Sequence, residues 1–294
     1  MMLGEDFNRA RSAWLYPQIP LQHFWRAVGF FILLFIFFTF LQGLFALLVF
    51  GIGLGGDLKV FAASAQGLQL GGVGSAVTDP QVTLLLKAML IGMFPAGLGT
   101  AVLSLYFAQF GLPKRMGHLP MQWPKFGVLG WVALITSFLV FMAIVFNLLF
   151  VALGIDPMTY STSAQGLADD KSNAGMVEKT LADLAHNPRL FFLAVPGAVL
   201  GAPLAEELIF RGALFAGLVQ SRLGRPGAVI ITAGLWALGH AGAAPWMFVG
   251  VIFLMGLILG VLLLRFGTIW VTIACHTAWN AVTTLIMFST GSHS

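Results

Sequence analysis

The sequence predicts an all-α bundle of membrane-spanning helices, and two observations carry that prediction. Of 294 residues, 59% are hydrophobic and only 9% are charged, where a soluble domain carries about 25% charged residues. The apolar residues also gather into seven long segments separated by polar connections, each close to the roughly 20 residues a helix needs to cross a bilayer. For most of such a chain the solvent is lipid, so backbone groups must be satisfied within helices.

The segments follow in order. Residues 24–54 form an apolar run too long for a signal-peptide core, so it reads as a first transmembrane helix. A Gly/Ser/Ala/Gln-rich connection covers 55–81. The second and third segments are 82–110 and 126–154, with Lys87 near a helix end where it can snorkel. The polar connection 155–189 carries Asp156, Asp169, Asp170, Glu178 and Asp183. Part of it, Ala174 to His186, reads as a short surface helix, an eighth element that does not span. Segments four to seven are 190–220, 226–243, 246–265 and 268–289. The chain thus divides into 1–189, with three spans and two long loops, and 190–294, with four spans. No repeat of fixed period joins them. The single cysteine, Cys275, excludes an intrachain disulfide and speaks against a cysteine-based metal site.

Lysine and arginine set an orientation. Nine of them (Arg9, Arg11, Arg26, Lys114, Arg115, Lys125, Arg222, Arg225 and Arg265) fall on one side, and Lys59, Lys171, Lys179 and Arg189 on the other. The expected N-terminus is cytoplasmic and, with seven spans, the C-terminus lies outside. The net charge of +4 therefore serves topology. It forms no basic patch and no nucleic-acid motif, so no nucleic-acid partner is expected.

Segment 190–220 holds the chemistry. Its only ionisable residues are Glu206, Glu207 and Arg211, and a charge at bilayer depth costs about 2.5–3.5 kcal/mol on insertion scales. At about 1.5 Å per residue the segment would reach about 46 Å across a core of about 30 Å. Gly201-Ala202-Pro203 offers a break, and a helix restarting there would put both glutamates in its opening turns, near the positive end of its dipole. Glu207 and Arg211 are spaced i, i+4 in the favourable order and are expected to pair. Glu206 points about 100° away and has no polar neighbour one turn on, because Ile209 and Phe210 are apolar. Its partner must come from another helix or from water.

Few partners exist. Of six histidines only His240, in the fifth segment, and His276, in the seventh, fall within spans. Asn280 follows His276 by four residues, on the same helix face. Counted from the basic loops, Glu206 and His240 each lie about 21 Å deep, and His276 and Asn280 about 12 and 18 Å, so one shared site is permitted. Trp236 and Trp279 are expected to pack around it or sit near its wet end. A carboxylate, two imidazoles and an amide suit hydrolysis: the glutamate deprotonates a water and returns the proton to a leaving amine, a neutral histidine orients that water, and N–H donors stabilise an oxyanion. The same residues could instead act as polar glue between helices of a non-enzymatic scaffold. A proton-coupled transporter would show paired broken helices in both halves, and only one segment has a marked break point.

EExxxR at Glu206–Arg211, an aromatic-xxxH at Trp236–His240 and HxxxN at His276–Asn280 occur in that order. The ordered trio resembles the CPBP family, the CAAX-processing and bacteriocin-processing intramembrane endopeptidases, over about residues 190–289. The second motif has tryptophan where phenylalanine is common. The resemblance implies that Glu206 activates the water, His240 assists it, His276 and Asn280 form the oxyanion hole, and Glu207 and Arg211 support the site. It implies a membrane-associated peptide or protein substrate, prenylated or simply hydrophobic, and a place in the bacterial inner membrane, with membrane lipid as the surrounding partner. Some relatives are tied to bacteriocin self-immunity, which is the form a non-enzymatic role would take. Members of the family were once described as metalloproteases and later as glutamate-type proteases. The chain has no HExxH, and no cofactor is expected; the minority alternative is zinc held by Glu206, His240 and His276.

Overall fold

The computed structural model describes residues 24–59, 80–107, 120, 123–154, 184, 186–241 and 246–291. Within them every regular element is a helix, with no strand. Seven helices follow in order: α1 (Phe24–Leu48), α2 (Pro80–Tyr106), α3 (Val128–Ala152), α4 (Pro188–Val219), α5 (Gly224–Leu238), α6 (Trp246–Phe266) and α7 (Ile269–Gly291). Six are long and apolar enough to cross a membrane, and this is an integral membrane protein. Their outer faces are clad in large apolar side chains, such as Ile36 and Phe40 on α1 and Leu129 and Leu148 on α3. Such a surface is stable against lipid and not against water.

The helix α5 is the exception in length. It has 15 residues, or about 22 Å, where the sequence suggests a span over 226–243. Its last turn is followed at once by a hydrogen-bonded turn, with Gly239 N–H donating to Leu235 O and His240 N–H to Ala237 O. The suggested surface helix at Ala174–His186 lies outside the described residues apart from Leu184 and His186, as do the topogenic Arg9, Arg11, Lys114, Arg115, Lys171 and Lys179.

The helix α4 is the centre of the bundle. Half of its most apolar window is buried, against 17% for α1 and for α3, so its neighbours, rather than lipid, surround it. On one side α2 approaches it backbone to backbone. A Cβ at Gly197 would strike the carbonyl of Leu90, one at Gly201 would strike Met93 and Phe94, and one at Gly97 would strike Gly201. Small residues at such crossings replace the hydrophobic driving force that lipid removes. On other sides α1, α5 and α7 complete the enclosure, with Phe30, Ile209, Phe215, Trp236, Leu259 and Val271 in one continuous core.

One end of the bundle is banded with aromatic rings. Trp123 lies 5.6 Å from Trp131 and 5.4 Å from Trp270, and Phe126 lies 5.4 Å from Phe266. Exposed Lys125 and Arg265 flank them. Amphipathic rings with cations beside them mark a membrane–water interface. The chain reverses here from α6 into α7 through Gly267, whose φ of +69° suits glycine. Ile269 N–H donates to Pro120 O across the connection at 2.8 Å.

Candidate active site

The expected break in the fourth span does not occur. From Pro188 to Val219 the chain runs as one helix of 32 residues, and Gly201 has ordinary helical angles, φ −63° and ψ −50°. Two widened π-helical stretches, Gly197–Gly201 and Glu207–Leu214, take up the strain instead. Proline at 203 has no N–H to give and its ring would crowd the carbonyl of the preceding turn in an α-helix. The wider turn ahead of it makes room, with Ala202 N–H reaching back five residues to Gly197 O. No new N-terminus forms near the glutamates, so the expected helix-dipole contribution to their charge is absent. Single π turns inside α-helices recur at functional sites, and here one precedes the glutamate pair and the other begins with it.

Glu207 and Arg211 pair as their spacing predicts, Arg211 Nη1 donating to Glu207 Oε1 at 3.1 Å with both side chains fully buried. A third group joins them. His276 Nδ1, on α7, lies 3.0 Å from the same Glu207 oxygen. An ionised carboxylate only accepts, so His276 carries its proton on Nδ1 and turns Nε2 the other way. There Nε2 lies 3.9 Å from Glu206 Oε2. Thr272, one turn before His276 and fully buried, also faces Glu207.

Glu206 is the partly open member of the set, with 16% of its side chain exposed. Its partner from another helix is the indole of Trp236 on α5, whose Nε1–H donates to Oε2 at 2.6 Å. Trp236 thus packs around the site as expected, and beyond that it donates a hydrogen bond to it. His240 follows Trp236 by one turn, half-buried in the turn that ends α5 rather than deep in a span as the sequence suggests. Its Nδ1 lies 2.9 Å from Trp236 O, and its ring meets the indole edge to face at 5.5 Å between centroids. His240 thus joins the site through Trp236, with no hydrogen bond to Glu206 or His276.

Asn280 shares a helix face with His276, as its spacing predicts, and Nδ2 donates to Ala198 O on α4 at 2.9 Å. Pro203 explains why that carbonyl is available. In a π-helical turn Ala198 O would accept from residue 203, and proline has no N–H. One Asn280 N–H fills the gap, and the second remains for another acceptor.

The trio named for zinc does not gather around one point: His240 Nδ1 bonds to the backbone of its own helix, and His240 makes no hydrogen bond to Glu206 or His276. Among the described residues no three His, Cys, Asp or Glu side chains gather as a metal site, the trio Glu206, His240 and His276 included.

Sequence reasoning does not reach the indole donor, the Ala198 carbonyl or Thr272. One signal for the indole is present: Trp236 stands one turn before His240, as Glu207 stands before Arg211 and His276 before Asn280.

The fold and site together define a polytopic membrane protein with an acid–imidazole–amide cluster inside its bundle. Residues 188–282 match the family model described as type II CAAX prenyl endopeptidase Rce1-like, which supports the resemblance drawn from the three motifs and covers all of them. No curated protein and no solved structure matched the chain.

Proposed function

We propose that the protein is an intramembrane endopeptidase that hydrolyses a peptide bond of a lipid-modified or hydrophobic substrate with a glutamate-activated water. The observation that favours this most is the placement of His276 between two glutamates of different character. Glu207 is sealed and ion-paired, whereas Glu206 is partly open and faces His276 Nε2 across 3.9 Å. That separation is too long for a direct hydrogen bond and suits one water bonded to both.

In this reading Glu206 takes a proton from the water as its oxygen attacks the scissile carbonyl carbon. The resulting oxyanion accepts the second N–H of Asn280 and, with His276 protonated on both ring nitrogens from the start of the cycle, its Nε2–H, which stays on the ring throughout. Collapse breaks the C–N bond, and the proton held by Glu206 passes to the leaving amine. His240, at the open end of α5, assists the water, and Glu207 with Arg211 holds His276 through its Nδ1–H. The reading needs no cofactor. The matched family's name points to a prenylated CAAX peptide as the first substrate to try, a hydrophobic peptide as the second, and not to nucleic acid. We further read the protein as residing in a bacterial plasma membrane with its N-terminus cytoplasmic; the exposed Lys125 and Arg265 beside the aromatic band favour that orientation.

The test compares wild type with Glu206→Gln on an internally quenched farnesylated CAAX peptide in detergent. Loss of cleavage in the variant is expected; equal cleavage by both overturns the role of Glu206. A non-enzymatic scaffold, such as an immunity protein, is favoured by one observation, the fully buried Arg211–Glu207–His276 tie between α4 and α7. That reading expects Glu206→Gln to leave the protein's biological effect intact.

A further inference from the structure

We infer that Trp236 is a positioning residue for the Glu206 carboxylate, and this rests on the reading of Glu206 as the base. Trp236 is 1% exposed, the largest fully buried side chain among the described residues. A buried indole has one polar atom, and leaving Nε1–H without an acceptor would cost the desolvation of that group. Here the acceptor is Glu206 Oε2, at 2.6 Å, in the short range of a bond to a charged oxygen.

The ring that delivers this N–H is itself held on every side by the site. The Arg211 guanidinium carbon lies 4.4 Å from the ring centroid, the His276 ring meets it at 5.1 Å and 75°, and the His240 ring at 5.5 Å and 82°. A guanidinium over an indole face is attracted by the ring quadrupole. Arg211 is fixed in turn by Glu207. The rigid part of the site, Glu207–Arg211–His276, therefore sets the indole plane, and the indole N–H sets where Oε2 points. Without that bond the Glu206 side chain, left on its own helix with only the electrostatic pull of Arg211, can turn among rotamers and away from His276 Nε2.

The tryptophan supplies an N–H donor that phenylalanine lacks, which gives a test. Trp236→Phe keeps a smaller ring against Arg211 and both histidines, removes the donor and leaves a cavity where the rest of the indole stood. On the farnesylated CAAX peptide it is expected to lower kcat roughly ten- to hundred-fold, the range of a hydrogen bond to a charged group, with KM little changed, while the thermal midpoint falls by the cost of the cavity. An independent readout is the indole N–H bending band in ultraviolet resonance Raman, taken as the wild type minus Trp236→Phe difference. It should sit at the strongly hydrogen-bonded position and move towards the weakly bonded one in Glu206→Gln. A band at the unbonded position in wild type overturns the inference, whatever the activity. So does an unchanged kcat in Trp236→Phe. If wild type cleaves no peptide, the proposed reaction fails, and the Raman band alone decides whether the indole holds Glu206.

Discussion

His276 Nδ1 and Glu207 Oε1 stand 3.0 Å apart, and that one bond joins α7 to α4 inside the bundle. It also leaves Nε2 as the nitrogen turned towards Glu206. Carboxylates that orient a histidine through Nδ1 recur in hydrolytic triads, where they hold the tautomer and steady the imidazolium. Here the orienting acid is the neighbour in sequence of the acid proposed as base, and the helix separates their tasks by turning about 100° between them.

Arg211→Ala is expected to destabilise the protein by about 3–5 kcal/mol, the range for removing one partner of a buried pair. Glu207 is fully buried and would be left with an uncompensated charge. Thermal unfolding in detergent measures the loss. Glu206→Gln, at a partly open position that keeps an acceptor for the indole, should change the midpoint far less.

The two histidines should separate stability from activity. His276 is 2% exposed and bonded across helices, so His276→Ala should cost both folding stability and cleavage. His240 is half-buried in the turn ending α5, bonded within its own helix. His240→Ala should lower cleavage while shifting stability by no more than about 1 kcal/mol. Paired unfolding and peptide-cleavage assays distinguish the two.

The Asn280–Ala198 bond yields a coupling that a double-mutant cycle can read. Asn280→Ala strands the Ala198 carbonyl at an expected cost of about 1–3 kcal/mol. Pro203→Ala restores a backbone N–H at the position from which that carbonyl could be satisfied. Asn280→Ala should therefore cost less in the Pro203→Ala background than alone. Strictly additive midpoints would remove the link between Pro203 and Asn280.

Chelation addresses the zinc alternative directly. Peptide cleavage should persist under a strong chelator, and elemental analysis of the purified protein should find no stoichiometric zinc. Cleavage lost to chelator and restored by zinc would reverse the assignment.

The ion pair of Glu207 with Arg211 was legible in the sequence because i, i+4 arithmetic holds wherever a helix forms, and even the π-helical stretch preserves it. The segregation of Glu206 from that pair was legible for the same reason. The missing N–H of Pro203 was visible too, but α-helical counting assigns the orphaned carbonyl to Val199. The wider turn moves it to Ala198, and it lies where α2 packs backbone to backbone against Gly197 and Gly201. The indole bond was out of reach because it requires the lateral distance between α4 and α5, which no spacing within either helix encodes. His240 looked deep because the apolar run continues past it in the sequence, whereas the helix stops at Leu238.

That early stop has a consequence for the bilayer. A segment about 22 Å long beside neighbours of 21 and 32 residues is shorter than a hydrocarbon slab of about 30 Å, and hydrophobic mismatch of this kind thins the membrane locally. The dimple would form over the end of α5, where His240 sits. Headgroups and solvent drawn down there would bring water towards His240, the second reactant that the proposed hydrolysis requires. Turnover should then depend on acyl-chain length, falling as reconstituted bilayers are made thicker.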